Sequence, residues 1–189
     1  TALPLRALLR QYDGDLEGAV ADLDRARSLA RQFGSLSLND ELFIDLRWID
    51  MHMRQGDNDR AVAMLASLRE RAAHAAAPEM VILLNALEAG MWVRLGDLDR
   101  ARELIDLAES EMAADATVGG DHGRAIAGSV RASLSLELGD VAGARRALVG
   151  AYEAAVQSRD NPVLALVAVT AAGLAEHQGR PYEAARLLG

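Results

Sequence analysis

Leu95-Gly96-Asp97-Leu98-Asp99-Arg100-Ala101, with Ile105 and Ala108 beyond it, decides how this chain folds. Glycine can adopt the left-handed backbone that ends one helix, and the aspartate after it caps the open N–H groups that begin the next. Gly96-Asp97 therefore reads as a helix–turn–helix corner. The corner recurs: turn glycines stand at Gly14, Gly56, Gly96, Gly139 and Gly179, spaced 42, 40, 43 and 40 residues apart. Aspartate follows four of them (Asp15, Asp57, Asp97, Asp140), and Arg180 follows the fifth. Five residues after every glycine stands alanine: Ala19, Ala61, Ala101, Ala144 and Ala184. Nine after comes a bulky aliphatic, Leu23, Leu65, Ile105, Leu148 or Leu188, and twelve after comes Ala26, Leu68, Ala108 or Ala151. These offsets advance by four and three and so mark one stripe of an α-helix, where small residues let it lie close to the helix before it. Alanine at all five sites would arise by independent draws roughly once in several thousand tries.

Outward from each corner, the preceding stretch is helical as well, over about 3–12, 39–55, 79–95, 123–138 and 161–178. Pro78 and Asn161-Pro162 fit the first turns of two of these helices. The repeats run over about 1–34, 35–76, 77–116, 117–159 and 160–189, as one domain of about five helix hairpins. The longest connection, 115–122, holds Gly119-Gly120 and is the expected nick site.

Composition narrows the chemistry. The chain has 189 residues, 51% apolar and 25% charged, which excludes disorder and low complexity. Cysteine is absent, so disulfides, thiolate nucleophiles and cysteine-ligated metals are excluded. All 20 basic residues are arginine, which removes the lysine of a P-loop and any lysine Schiff base. Alanine (37) and leucine (29) dominate while aromatic residues are 4% of the chain, a profile of small-residue helix packing. A net charge of −8 repels nucleic acid and anionic membrane, so direct DNA binding by this segment is not expected. The longest apolar stretch, 162–175, contains Thr170 and Gly173 and falls short of the roughly 20 residues a membrane span needs. The chain opens Thr-Ala with no secretory signal, so a segment of a larger cytoplasmic protein is expected.

The Gly-Asp-x-x-x-Ala arrangement, with alanine again seven residues on as in Ala101 and Ala108, resembles the second helix of a tetratricopeptide repeat. The resemblance spans the chain as five units. It departs in a longer period and in first helices that lack the regular Trp-Leu-Gly-Tyr set, since Trp48 and Trp92 are not equivalent. Longer helices of this type are similar to the C-terminal repeat regions of large bacterial transcriptional regulators, of the antibiotic-regulatory-protein and ATP-dependent LuxR kinds. Gly179-Arg180-Pro181-Tyr182-Glu183-Ala184-Ala185-Arg186-Leu187-Leu188-Gly189 looks like their last repeat. The resemblance implies an all-α fold, a right-handed superhelical solenoid whose first helices line a concave inner surface.

By that analogy the inner positions give Tyr12, Arg54, Arg94, Glu137 and His177 two residues before each glycine, and Leu8, Asp50, Gly90, Ser133 and Gly173 six before. Arg47, Arg54 and Arg94 are candidates to clamp a carboxylate or a C-terminal peptide, or else pair with Asp45, Asp50 and Glu88 as a solvated network. Trp48 and Trp92 read either as inter-helix packing or as aromatic anchors for a partner. Gly90 and Gly173 inside helices each cost about 1 kcal/mol against alanine and point to close approach by a helix or a ligand. Other motifs read as structure. Asp13 to Asp24 imitates a calcium loop but overlaps the Ala19, Leu23, Ala26 helical stripe. Gly123 to Gly128 has P-loop glycine spacing with Ser129 in place of lysine, and reads as a helix start. The histidines His52, His74, His122 and His177 lack the i, i+4 spacing of paired metal ligands and are expected at surface or groove positions.

The expected function is a protein- or peptide-binding scaffold with no catalytic constellation and no cofactor, the interaction arm of a bacterial transcriptional regulator. Its partner would be a protein or peptide, another domain of the same chain included. Two alternatives stand beside it: a small-molecule effector-sensing domain, and a self-association module forming a homodimer through an apolar end.

Overall fold

The computed structural model describes residues 2–33, 38–75, 77–114 and 119–189. Among the described residues there are ten α-helices and no strand, so the chain is all-α: α1 (Ala2–Tyr12), α2 (Leu16–Phe33), α3 (Leu38–Arg54), α4 (Asn58–His74), α5 (Pro78–Leu95), α6 (Leu98–Ala114), α7 (Gly120–Glu137), α8 (Val141–Ser158), α9 (Asn161–His177) and α10 (Pro181–Leu188). They divide into two compact units, Thr1–Ala75 and Ala76–Gly189, the division falling where the second and third repeats were expected to meet. The expected single run of hairpins is thus distributed over two units. In the first, α1 packs on α2 and α3, and α3 on α4. In the second, three hairpins (α5/α6, α7/α8, α9/α10) follow one another, with the first helices α5, α7 and α9 side by side in that order. Within each unit this is the neighbour pattern of stacked helix hairpins.

The five corners close in one way. Each turn glycine has φ between +70° and +82°, a region that costs other residues a clash at Cβ. At Gly96 the glycine amide donates to Val93 O at 3.2 Å and the Asp97 amide to Trp92 O at 3.1 Å, and the other four corners repeat this pair of bonds. This is the Schellman closure, which satisfies carbonyls the helix end would leave open. The aspartates do not act alike. Asp15 accepts from the Gly18 amide at 2.9 Å, Asp97 from Arg100 at 3.2 Å and Asp140 from Gly143 at 2.8 Å. Asp57 makes no side-chain cap and instead places Oδ2 3.4 Å from His52 Nδ1.

The alanine five residues on has a structural reason in every repeat. Its amide closes the first turn onto the residue after the glycine, as Ala19 does on Asp15 O at 3.0 Å, and its side chain is fully buried in all five hairpins. A longer side chain there would overpack the seam, at about 1–3 kcal/mol. The next stripe positions, Leu23, Leu65, Ile105 and Leu148, are buried too, whereas Leu188 in α10 is exposed. The calcium-loop reading gives way to the helical one, because α2 begins at Leu16 inside the supposed loop and Asp15 spends an oxygen on capping it. The P-loop imitation lies within α7, which starts three residues earlier than expected. Residues 115–118 of the expected nick site lie outside the described residues.

Candidate functional site

The polar and aromatic side chains that the fold gathers sit eight and four residues before the turn glycines, on the first helices. The pairs are Arg6/Arg10, Trp48/His52, Glu88/Trp92 and Arg131/Ser135. On α1, Arg6 donates from Nε and Nη2 to the two oxygens of Asp22 at 2.7 and 2.5 Å, and Arg10 Nε lies 3.4 Å from the same carboxylate. Asp22 is buried on α2, and the Arg6 hydrogen bonds hold its carboxyl below the usual carboxylate range against that burial, with Arg10 adding to the effect. Sequence reading did not single out Asp22. The signal was present, since the equivalent position in the other repeats is Met64, Leu104, Ala147 or Leu187.

On α3, Trp48 stacks on His52 with ring centroids 5.8 Å apart, and the Arg27 guanidinium lies 5.2 Å above the indole. Arg27 also pairs with Asp45 at 2.6 Å, which in turn takes Arg71 at 2.8 Å, tying α2, α3 and α4 together. His52, expected at a surface or groove position, is buried, and burial lowers its pKa from the usual 6.5, with Arg60 and Arg27 acting in the same direction and Asp57 opposing. On α5, Trp92 Nε1 donates to Glu88 at 3.2 Å, and Arg100 covers the indole at 4.2 Å while lying 3.6 Å from Glu88. On α7, Arg131 donates to Glu109 at 2.7 Å and also pairs with Asp106, joining α7 to α6. Both tryptophan rings pack against the cores of their units and remain partly exposed.

The residues expected on an inner face are divided between the two units. Arg47, Asp50 and Arg54 belong to the first unit, and Arg94, Ser133, Glu137 and His177 to the second; the Tyr12 side chain lies outside the described ones. Arg54, Arg94, Glu137 and His177, all two residues before a turn glycine, are exposed. Arg54 pairs with Asp50 at 2.9 Å, as expected of a solvated network, while Asp45 and Glu88 take the partners already named. Arg47 is half-buried, and its carbonyl accepts from Gln11 Nε2 at 3.4 Å. Ser133 donates to Ser129 O at 3.1 Å. Position six before the glycine is a seam between first helices: a Cβ added at Gly90 would lie 3.1 Å from Val130 Cγ2 of α7, so the close approach foreseen at Gly90 is by a helix.

The second unit holds a groove of about 800 Å³ that opens to solvent and runs over α6, α7 and α8. It is lined by small residues, among them Ala127, Gly128, Ala147, Gly150 and Ala151, and by charged ones: Arg124, Arg146, and Arg131 with the Asp106 and Glu109 it pairs with. Gly128 permits the close α7–α8 contact that shapes it, since a Cβ there would lie 2.9 Å from Ala151 Cβ and 3.2 Å from Ala147 O. Neither Ser133 nor Glu137 lines this groove. Its sequence signal was the run of glycine and alanine from Val141 to Ala151, which reads as helix packing until α6 is seen to stand apart from α8. Among the described residues no three metal-ligating side chains come together, and no helix is long and apolar enough to cross a membrane. His74 bonds its own helix at Glu70 O, and His122 Nδ1 lies 3.0 Å from Asp160. No protein-family model, curated protein or solved structure matches the chain.

Proposed function

We propose that the chain is a helical-repeat scaffold, a TPR-like solenoid that binds a segment of another protein without breaking any bond. The groove on α6, α7 and α8 carries this reading. It is open and lined largely by alanine and glycine, so the side chains of a bound segment can seat against backbone, and the arginines along it, Arg124, Arg131 and Arg146, can fix the segment's register through its carboxylates and carbonyls. The positions that repeat along the chain are spent on corners and core, which leaves the non-repeating ones for recognition. An open groove favours a peptide over a small effector, which binds best where most of its surface is enclosed. The likeness of segment 179–189 to the last repeat of bacterial transcriptional regulators supports a role as a regulatory arm in the cytoplasm.

A second surface is favoured by the exposure of Arg54, Arg94, Glu137 and His177, four unlike side chains at one repeat position. The test is affinity capture from the native cell extract with the wild-type chain, Gly150→Leu, and the Arg54→Ala/Arg94→Ala double variant, each hit being re-measured with purified components. A Cβ at Gly150 meets nothing within 4 Å, so Gly150→Leu puts a bulky side chain at the groove lining without a clash at Cβ, and circular dichroism checks that the helix signal is kept. A partner lost to Gly150→Leu and kept by the arginine variant is the expected result. The reverse moves binding to the first-helix positions, and no direct binder in any arm overturns the scaffold reading.

A further inference from the structure

We infer, resting on the groove reading above, that the groove of the second unit takes an acidic segment of its partner, one carboxylate of which is received by Arg146 and by the hydroxyl of Ser135. Which polar groups of the lining are already engaged decides what it asks of an occupant. Its three carboxylates all have partners in place: Glu109 accepts from Arg131 at 2.7 Å, Asp106 pairs with the same guanidinium, and Asp140 accepts from the Gly143 amide at 2.8 Å. Arg131 is held by the first two. Arg146, exposed on α8 and part of the same lining, has no acidic partner among the described residues. The charge left to meet a ligand is therefore positive.

Ser135 is the second donor. It is only 8% exposed and lines the groove. The other two serines of α7 turn their hydroxyls back onto the helix, Ser129 donating to Ala125 O at 2.9 Å and Ser133 to Ser129 O at 3.1 Å. The Ser135 hydroxyl has no hydrogen-bond partner among the described residues. Polar side chains at the same repeat position elsewhere are engaged: Arg10 lies 3.4 Å from Asp22, His52 lies 3.4 Å from Asp57, and Trp92 donates to Glu88. A hydroxyl so far removed from water is unfavourable while unbonded, and an acceptor entering the groove relieves it. Ser135 stands four residues before Gly139 and Arg146 seven after, so both lie within about two helical turns of that corner. A carboxylate can take a guanidinium fork and a hydroxyl together. Leu138, exposed at 44% in the same lining, offers an apolar contact to the residue beside the acid. Nucleic acid and other polyanions are disfavoured, because Asp106, Glu109 and Asp140 share the groove and the chain carries a net charge of −8.

Selection of a random-peptide phage library on the full chain tests this, each hit being re-synthesised and its affinity measured by fluorescence anisotropy. The expected hits carry aspartate or glutamate beside a large aliphatic residue, and replacing that acid by its amide should weaken them about tenfold. Arg146→Ala should weaken them by a similar factor and Ser135→Ala about threefold. Arg145→Ala removes a neighbouring exposed arginine that does not line the groove, and should leave binding unchanged. Circular dichroism checks that each variant keeps its helix signal. Hits that Gly150→Leu abolishes but that need no acid, or that Arg145→Ala weakens as much as Arg146→Ala, overturn the acidic segment and leave the groove reading in place. Hits that Gly150→Leu leaves untouched, or no hits at all, overturn the groove reading and this proposal with it.

Discussion

Two helical pairs stand at the same repeat positions and are built from different chemistry. In the first unit, Trp48 and His52 stack, and Trp48 Nε1 is buried with no hydrogen-bond partner among the described residues. In the second, the indole of Trp92 has an acceptor in Glu88, and Arg100 closes over the ring and lies near the carboxylate. Either of the two positions can therefore carry the indole, at eight residues before the glycine in Trp48 and at four before in Trp92, and the polar edge is satisfied differently in each. A buried N–H without a partner forfeits about 1–3 kcal/mol, and a buried carboxylate is tolerable only while its donors remain. The first pair should thus tolerate loss of its polar atoms, and the second should not.

Truncation gives the largest expected effect. Trp92→Ala should lower unfolding stability by up to about 3–5 kcal/mol, and Trp48→Ala by less, because only the former leaves a buried carboxylate short of a donor. Calorimetry on the full chain measures both, and equal losses would dissolve the distinction. Keeping the ring but removing the N–H sharpens it: Trp92→Phe should cost about 1–3 kcal/mol and Trp48→Phe should be neutral or stabilising. The corners offer a milder contrast. Asp140→Ala removes a cap bond of 2.8 Å and should cost about 1 kcal/mol, whereas Asp57→Ala, which removes no cap, should cost a few tenths.

The smallest effect expected is a pH slope confined to the first pair. Burial lowers the His52 pKa from 6.5, so the unfolded chain binds its proton more readily than the folded one. The stability His52 contributes as a neutral ring is present above 6.5 and is lost as pH falls from there toward its lowered folded value. His52→Phe should flatten the loss of melting temperature as pH falls below 6.5, while Trp92→Phe leaves that slope as it was. Asp22 adds a separate slope in stronger acid, its contribution being held above 3.8 and lost as pH falls through the lowered folded value.

The sequence by itself determined the corners, the helices and the buried stripe, because these depend on short-range rules. A left-handed glycine, the closure of the next helix onto the residue after it and a stripe at steps of three and four act within about a dozen residues, and all five copies say the same thing. That agreement placed the helix ends of α3, α5 and α9 within about two residues of where they lie. Tertiary structure alone decided which helix approaches Gly90, that Asp22 and His52 are buried, and that α6 and α8 leave a groove between them. Each depends on side chains far apart in the chain: Val130 against Gly90, Arg6 against Asp22, Arg27 above Trp48. It also decided that Leu138, an ordinary aliphatic residue in the sequence, is left exposed in the groove lining, since an apolar position is covered only when a neighbour is there to cover it.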